Sequence, residues 1–489
     1  MSTSYRPGRV FFAALLVAWG FSSLQTLVPT DTLCIAVAFL MVLSCAFLLR
    51  GHDPKRRTLL WLLLGAGASL IYLLKQPYDF SYHDLAAYEV GSDGHLGFIA
   101  YIVEKGTLPW ASETEQLSIY YNPPLYHLLQ ALFLKLNLTL GFAQEAALEN
   151  LQAITFAFAT LCPYTAVNIA GQLGAKERGK ALTALATAFA PIVMILGATL
   201  NNDAMMLALL LLSICYLLRW YESRQMKEIL LTGLYLGCAM ATKLNAAIAI
   251  PAMAILLAVT FFRERENQKR LMGQYAAFLC VSVPEAVAWP LYHLLVCHMP
   301  LNYVRLPSET INISGYSLWE RFGFPSGKVL RALFYSGIRK VDHNLWMQTL
   351  KTGLFDERAF FEEGSLMWYV SWLLLAAFAL LLVAMLVFFL WMLLKKEHPS
   401  GLIRVFLGVY AVTLFGYYLK FCLDYPYVCT FSFRYIAPLL FLGAAALGLA
   451  RERLKHGKWL CILAGVFSLL SVVVYGVYFF GPSLFGMNG

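Results

Sequence analysis

SLMWYVSWLLLAAFALLLVAMLVFFLWMLL, residues 365–394, runs for thirty positions without one charged side chain. At 1.5 Å of rise per residue such a helix is longer than the ~30 Å of hydrocarbon in a bilayer. A soluble core has no use for so long an unbroken apolar helix, so this stretch reads as a membrane span. Similar blocks recur along the 489 residues, which are 60% hydrophobic and only 13% charged, with a mean hydropathy of +0.65. Working outward by hydropathy places spans near 10–29, 32–49, 58–75, 147–173, 180–199, 202–219, 229–243, 245–262, 271–297, 365–394, 402–422, 434–450 and 458–480. The expected fold is therefore an all-α polytopic membrane protein, a single bundle of about thirteen transmembrane helices. The pair at 229–243 and 245–262 is joined so tightly, through Thr242, Lys243 and Leu244, that a broken or re-entrant helix is an alternative there.

The first block follows Arg6 and Arg9, as in a signal peptide, but no small-residue cleavage site comes after it, so it reads as a retained helix. With the N-terminus in the cytoplasm, 23 of the 37 Lys and Arg fall in short inner loops, as the positive-inside rule requires. Eight acidic residues share that side, giving +15 inside, while 14 basic and 20 acidic residues give −6 outside. The basic balance thus follows from membrane orientation and contact with anionic lipids, and no nucleic-acid partner is implied. The expected location is the plasma (inner) membrane, with the C-terminus outside. Ten cysteines are scattered, mostly in apolar blocks; Cys422 and Cys429 flank one loop and are the pair whose spacing would allow a disulfide.

The chain divides into three leading spans (1–75), a first outer loop (76–146), central spans (147–297), a second outer loop (298–364) and the C-terminal spans (365–489). Both loops far exceed an ordinary connection. The first carries Tyr78 to Asp84, including His83, then Asp93-Gly94-His95, a short helix stopped at Gly106 and Pro109, and Asn122-Pro123-Pro124-Leu125-Tyr126-His127. The Pro pair opens an amphipathic run to Leu136, read as a helix lying at the outer interface. Each carboxylate, imidazole or aromatic taken alone is as well explained as a solvated loop residue; their concentration beside a span end is less easily so explained.

Taken in order, Asp93, His95, the Phe98–Ile102 helix, Gly106-Thr107-Leu108-Pro109 and the stretch from Asn122 to His127 resemble the first outer loop of membrane glycosyltransferases that take sugars from polyprenyl phosphates. The resemblance is to the GT-C superfamily, which includes the protein O-mannosyltransferases and aminoarabinose transferases. It continues at Asn201-Asn202-Asp203, at Thr242-Lys243 and at Phe433-Arg434-Tyr435 with Pro438. This sequence departs from the pattern in having two extra leading spans, and Asp93-Gly94 where many relatives carry Asp-Glu. The resemblance implies inverting transfer of a sugar from a polyprenyl-phosphate donor to an acceptor hydroxyl on a protein, lipid or cell-wall polymer. It further implies a carboxylate to take the acceptor proton, with Asp93 the first candidate and Asp84 the second. A cation must hold the leaving phosphate, Arg434 first and Lys243 behind it. His95, His83, Asn122, Tyr126, His127, Asp203 and Tyr435 are the remaining candidates for substrate contact.

Each has a plainer reading. Lys243 suits a snorkelling residue, Asp203 an N-terminal cap, and the histidines hydrogen-bonding residues; no ligand spacing marks a metal site, although a divalent ion is compatible with the chemistry. Trp346, Gln348 and Lys351 in the second loop are candidate contacts to sugar or acceptor, with interfacial anchoring as the alternative. Glu285, beside Pro284 within a span, fits a different class, a proton-coupled lipid or sugar transporter. Against that stand the two long loops and the lack of paired broken helices in matching halves. A third class is a non-catalytic assembly subunit, which would tolerate loss of both Asp93 and Asp84.

Overall fold

The computed structural model describes residues 6–49, 53–80, 84–110, 117–299, 311–325, 343–356, 361–395 and 399–485. Among them there is no strand, only an isolated bridge between Asn312 and Tyr427. The leading helices are α1 (Pro7–Leu24), α2 (Thr30–Leu48) and α3 (Pro54–Lys75). Two shorter helices follow in the first long loop, α4 (His95–Lys105) and α5 (Leu125–Thr139). Then come α6 (Gln144–Asn150), α7 (Gln152–Gln172), α8 (Glu177–Ala188), α9 (Pro191–Ala198), α10 (Asp203–Ser223), α11 (Met226–Thr242), α12 (Ile250–Arg263) and α13 (Gln268–Leu295). The second loop contributes α14 (Leu318–Phe322) and α15 (Leu345–Phe355); α16 (Leu366–Leu394), α17 (Gly401–Asp424), α18 (Ala437–Arg453) and α19 (Lys458–Phe485) complete the bundle.

Burial sorts these helices into a centre and a ring. In α10, 89% of the apolar window is buried, against 17% in α1 and 22% in α2. A helix apolar all round is stable in the middle of a bundle, and α7, α10 and α18 occupy that middle. The ring turns Phe12, Leu16, Ile35, Phe39, Leu380, Leu386 and Val412 outward, where only hydrocarbon suits them. Local signals set several ends. Ser365 and Ser400 accept from the backbone of Trp368 and Ile403 and open α16 and α17, and Gly106, in the left-handed region at φ 69°, ends α4.

Among the described residues eleven helices are long and apolar enough to cross a membrane, and twelve if α8 and α9 count as one broken span, close to the expected thirteen. Two segments account for the difference. The segment read as one span at 180–199 bends by 56° between α8 and α9, where Pro191 restarts the helix. The segment read at 229–243 is α11, only 17 residues long. It nevertheless lies antiparallel to α10 over its whole length: Arg219 pairs with Glu228 at one end, the Ser213 hydroxyl donates to the Thr232 carbonyl midway, and Asp203 meets Lys243 at the other.

The run from Pro123 is not a span. It is α5, which packs on α4 and buries Tyr126, His127, Gln130 and Asn137. Of the second loop, α15 lies against α9 and residues 433–435, with Gln348 and Lys351 buried. The Trp346 indole donates to the Phe322 carbonyl at 2.8 Å, so it ties α15 to α14. Cys422 and Cys429 are not joined in the disulfide their spacing would allow, and the Cys422 thiol donates instead to the Thr430 carbonyl. Glu285 sits on α13 against α11, where the Cys238 thiol donates to it at 3.6 Å.

Candidate functional site

At one end of the bundle the last turn of α11, the first turn of α10 and the residues opening α18 converge on Asp203. The Asn201 side chain accepts from the Asp203 backbone amide at 2.8 Å, starting α10, while the Asn202 amide donates to the Thr242 carbonyl at 3.2 Å and fastens the end of α11 beside it. The Asp203 carboxylate is thereby set at a helix N-terminus, where negative charge is favoured. Lys243 Nζ lies 2.5 Å from one of its oxygens and Arg434 Nη1 3.3 Å from the other. Both cations also stand over the Tyr435 ring, at 5.5 and 5.2 Å from its centre. Asp203 and Arg434 are 2% and 8% exposed, so this is a buried ion cluster rather than a surface pair.

The first loop folds onto this cluster. Residues Asp84 and Leu85 offer their carbonyls to the free amides of His95 (2.7 Å) and Leu96 (3.0 Å) at the start of α4. That approach needs Gly94, since a side chain there would meet the Leu85 backbone at 2.5 Å. Asp84 itself has φ 52°, a conformation that aspartate tolerates better than most residues. Burial pushes the His95 imidazole down to about 4, with the charges of Asp84, Lys243, Asp203 and Arg434 acting on it in descending order. His127, from α5, places Nε2 2.9 Å from His95 Nδ1 and is held well below the usual histidine range, first by burial and then by His95. Tyr126 stands edge-on to His95 at 5.9 Å and accepts from Gln130 at 3.1 Å.

The structure thus brings together Asp84, His95, Tyr126, His127, Asp203, Lys243, Arg434 and Tyr435. Asp93 and Asn122 are occupied otherwise. The Asp93 carboxylate accepts from the Ser118 hydroxyl at 2.9 and 3.0 Å and from the Ile119 amide at 2.9 Å, and Asn122 donates to the Ile119 carbonyl at 3.3 Å. Both organise the turn Ser118–Tyr121. His83 lies outside the described residues. Three residues that the sequence did not single out, Thr352, Asp356 and Ser432, line a small cavity with Asp203, Arg434 and the apolar Ile192, Ile195 and Leu196. No local pattern marks them; Asp356 is conspicuous only in the structure, through its φ of 58°. Among the described residues no group of three His, Cys, Asp or Glu is placed to hold a metal ion.

Residues 121–289 match the family described as dolichyl-phosphate-mannose-protein mannosyltransferase. No curated protein matches the chain by sequence. Among solved structures, the chain is similar to ArnT from Cupriavidus metallidurans in the apo state, at 15% identity over 88% of this chain and 66% of that one, TM-score 0.45. The same protein bound to undecaprenyl phosphate gives 14% identity, 88% and 77% coverage, and TM-score 0.47. The apo oligosaccharyltransferase of Archaeoglobus fulgidus gives 13%, 86% and 55%, and 0.47. The chain therefore spans just under two thirds of the apo ArnT structure and a little over half of the archaeal one. Over residues 121–289, about a third of its length, this membrane protein resembles the dolichyl-phosphate-mannose-protein mannosyltransferases, in line with the family likeness carried by its loop and helix-end motifs.

Proposed function

We propose that the protein is a glycosyltransferase that moves a sugar from a polyprenyl-phosphate donor to an acceptor hydroxyl. The observation that carries this reading is the buried meeting of Lys243, Arg434 and Asp203 at a bundle end, beneath a loop bearing Asp84 and His95. A guanidinium and an ammonium fixed by a shared carboxylate are preorganised for the oxygens of a phosphate at headgroup depth. Arg434 takes the donor phosphate, with Lys243 beside it and Asp203 aiming both. Tyr435 stands against both cations, and Tyr126, His95 and His127 form the first-loop side. From the resemblance alone, Asn122 and His83 remain candidates for substrate contact.

The acceptor oxygen attacks the anomeric carbon, the bond from that carbon to the phosphate oxygen breaks with inversion, and polyprenyl phosphate departs. The acceptor proton passes to a carboxylate. Asp84 is favoured for that role over Asp93, because its charge acts on His95, Lys243 and Tyr435, whereas the Asp93 carboxylate accepts from Ser118 and Ile119. The basic-loop count supports an outer-face site in the inner membrane, with the N-terminus in the cytoplasm and the C-terminus outside.

The purified protein, incubated with a panel of polyprenyl-phosphate sugars and hydroxyl acceptors, is expected to release the lipid phosphate from at least one, and Arg434→Ala to slow that release sharply at subsaturating donor. Release that persists unchanged in Arg434→Ala would remove this site from the reaction.

A further inference from the structure

His127 is enclosed by rings. Phe98 stacks on it at 4.2 Å and 23°, His95 at 5.1 Å and 16°, and Tyr126 meets it edge-on at 5.3 Å. Its only polar contact among the described residues is Nε2 to His95 Nδ1, and its Nδ1 is buried without a hydrogen-bond partner. A neutral imidazole carries one N–H and one lone pair, so the two rings have two ways to share the bond. If His95 donated, His127 would have to carry its proton on Nδ1, stranding a buried N–H. If His127 donates from Nε2, the stranded atom is a lone pair. Orphaned buried N–H groups are rarer in proteins than under-satisfied acceptors, which favours the second arrangement.

That choice dictates the far side of His95. With Nδ1 accepting, the single proton of its ring sits on Nε2. The anions Asp84 and Asp203 and the cations Lys243 and Arg434 all act on the ring. We propose that His127 locks His95 in the Nε2–H tautomer, making His95 a neutral hydrogen-bond donor towards the site rather than a base. The backbone holds the ring beside Asp84, through the 2.7 Å bond from the His95 amide to the Asp84 carbonyl. The tautomer stands independently of the glycosyl-transfer reading; its effect on turnover rests on that reading.

The test is ¹⁵N spectroscopy of histidine-labelled protein in lipid, with His95→Gln identifying the His95 signals by difference. A neutral ring protonated at Nε2, unchanged between pH 5.5 and pH 8, is expected; a proton on Nδ1, or an imidazolium, overturns the proposal. His127→Phe keeps the aromatic stack but removes the lock, so the His95 signal should become a mixture of tautomers; a signal that stays purely Nε2–H overturns the role of His127. In turnover, His95→Gln retains an amide donor near the Nε2 position and should stay within about tenfold of the parent. His95→Leu should fall by about 10- to 150-fold, the worth of a hydrogen bond to a charged group. Equal loss in both overturns the donor role. Absence of turnover in the parent protein, with the tautomer as expected, counts against the glycosyltransferase reading alone.

Discussion

Lys243 holds its ammonium 2.5 Å from the carboxylate of Asp203, across 40 positions of sequence and between the end of one helix and the start of its antiparallel neighbour. Removing one partner of a buried pair costs ~3–5 kcal/mol, because the remaining charge is left desolvated. Asp203→Ala should therefore lower the unfolding temperature in detergent substantially, and Lys243→Met added to it should recover part of the loss. Two single variants whose effects simply add would show that the pair contributes no coupling.

Arg434 contributes a planar fork that lysine cannot reproduce. Arg434→Ala should weaken binding of polyprenyl phosphate by about 10- to 150-fold, equivalent to ~1.5–3 kcal/mol, in protein that remains folded. Arg434→Lys should recover only part of this. A direct binding titration with the lipid phosphate decides the matter, and unchanged affinity in the alanine variant would take Arg434 out of the donor site.

The two loop carboxylates should separate by kind of effect. Asp84→Asn keeps shape and removes the basic lone pair, and loss of a general base costs ~10² to 10⁴ in rate with donor binding preserved. Asp93→Asn should act through the Ser118–Ile119 turn, lowering stability more than the catalytic rate. If Asp93→Asn is dead while Asp84→Asn turns over normally, the roles are exchanged.

Orientation can be read with single cysteines in a background lacking the native ones. Thr107→Cys, exposed after α4, should react with an impermeant thiol reagent in intact cells, whereas Lys176→Cys, exposed between α7 and α8, should react only after permeabilisation. The reverse pattern would invert the bundle.

The spans were legible because a bilayer imposes one simple demand, length without charge, and sequences such as 365–394 meet it conspicuously. Legible too were the stop at Gly106 and the helix after Pro124, which depend on neighbouring residues. The bend before Pro191 was missed because hydropathy averages across it. The candidate residues could be named one by one from the sequence, but not their arrangement. Asp203 and Arg434 are 231 positions apart, so nothing local announces that they bond. His95 and His127 belong to separate helices whose packing alone makes them a pair, and the preference proposed for Asp84 over Asp93 rests on what Ser118 and Ile119 do with the latter.

The brevity of α11 bears on how a phosphate reaches the cations. Seventeen residues make about 26 Å of helix, several ångströms less than the ~30 Å hydrocarbon slab. A bilayer answers such hydrophobic mismatch by thinning around the short segment. Because Lys243 follows α11 and Asp203 begins its partner, the ion cluster lies at one end of that short segment. Under the proposed function, thinning at that end would bring a lipid-borne phosphate closer to Arg434 with its isoprenoid tail still in the membrane.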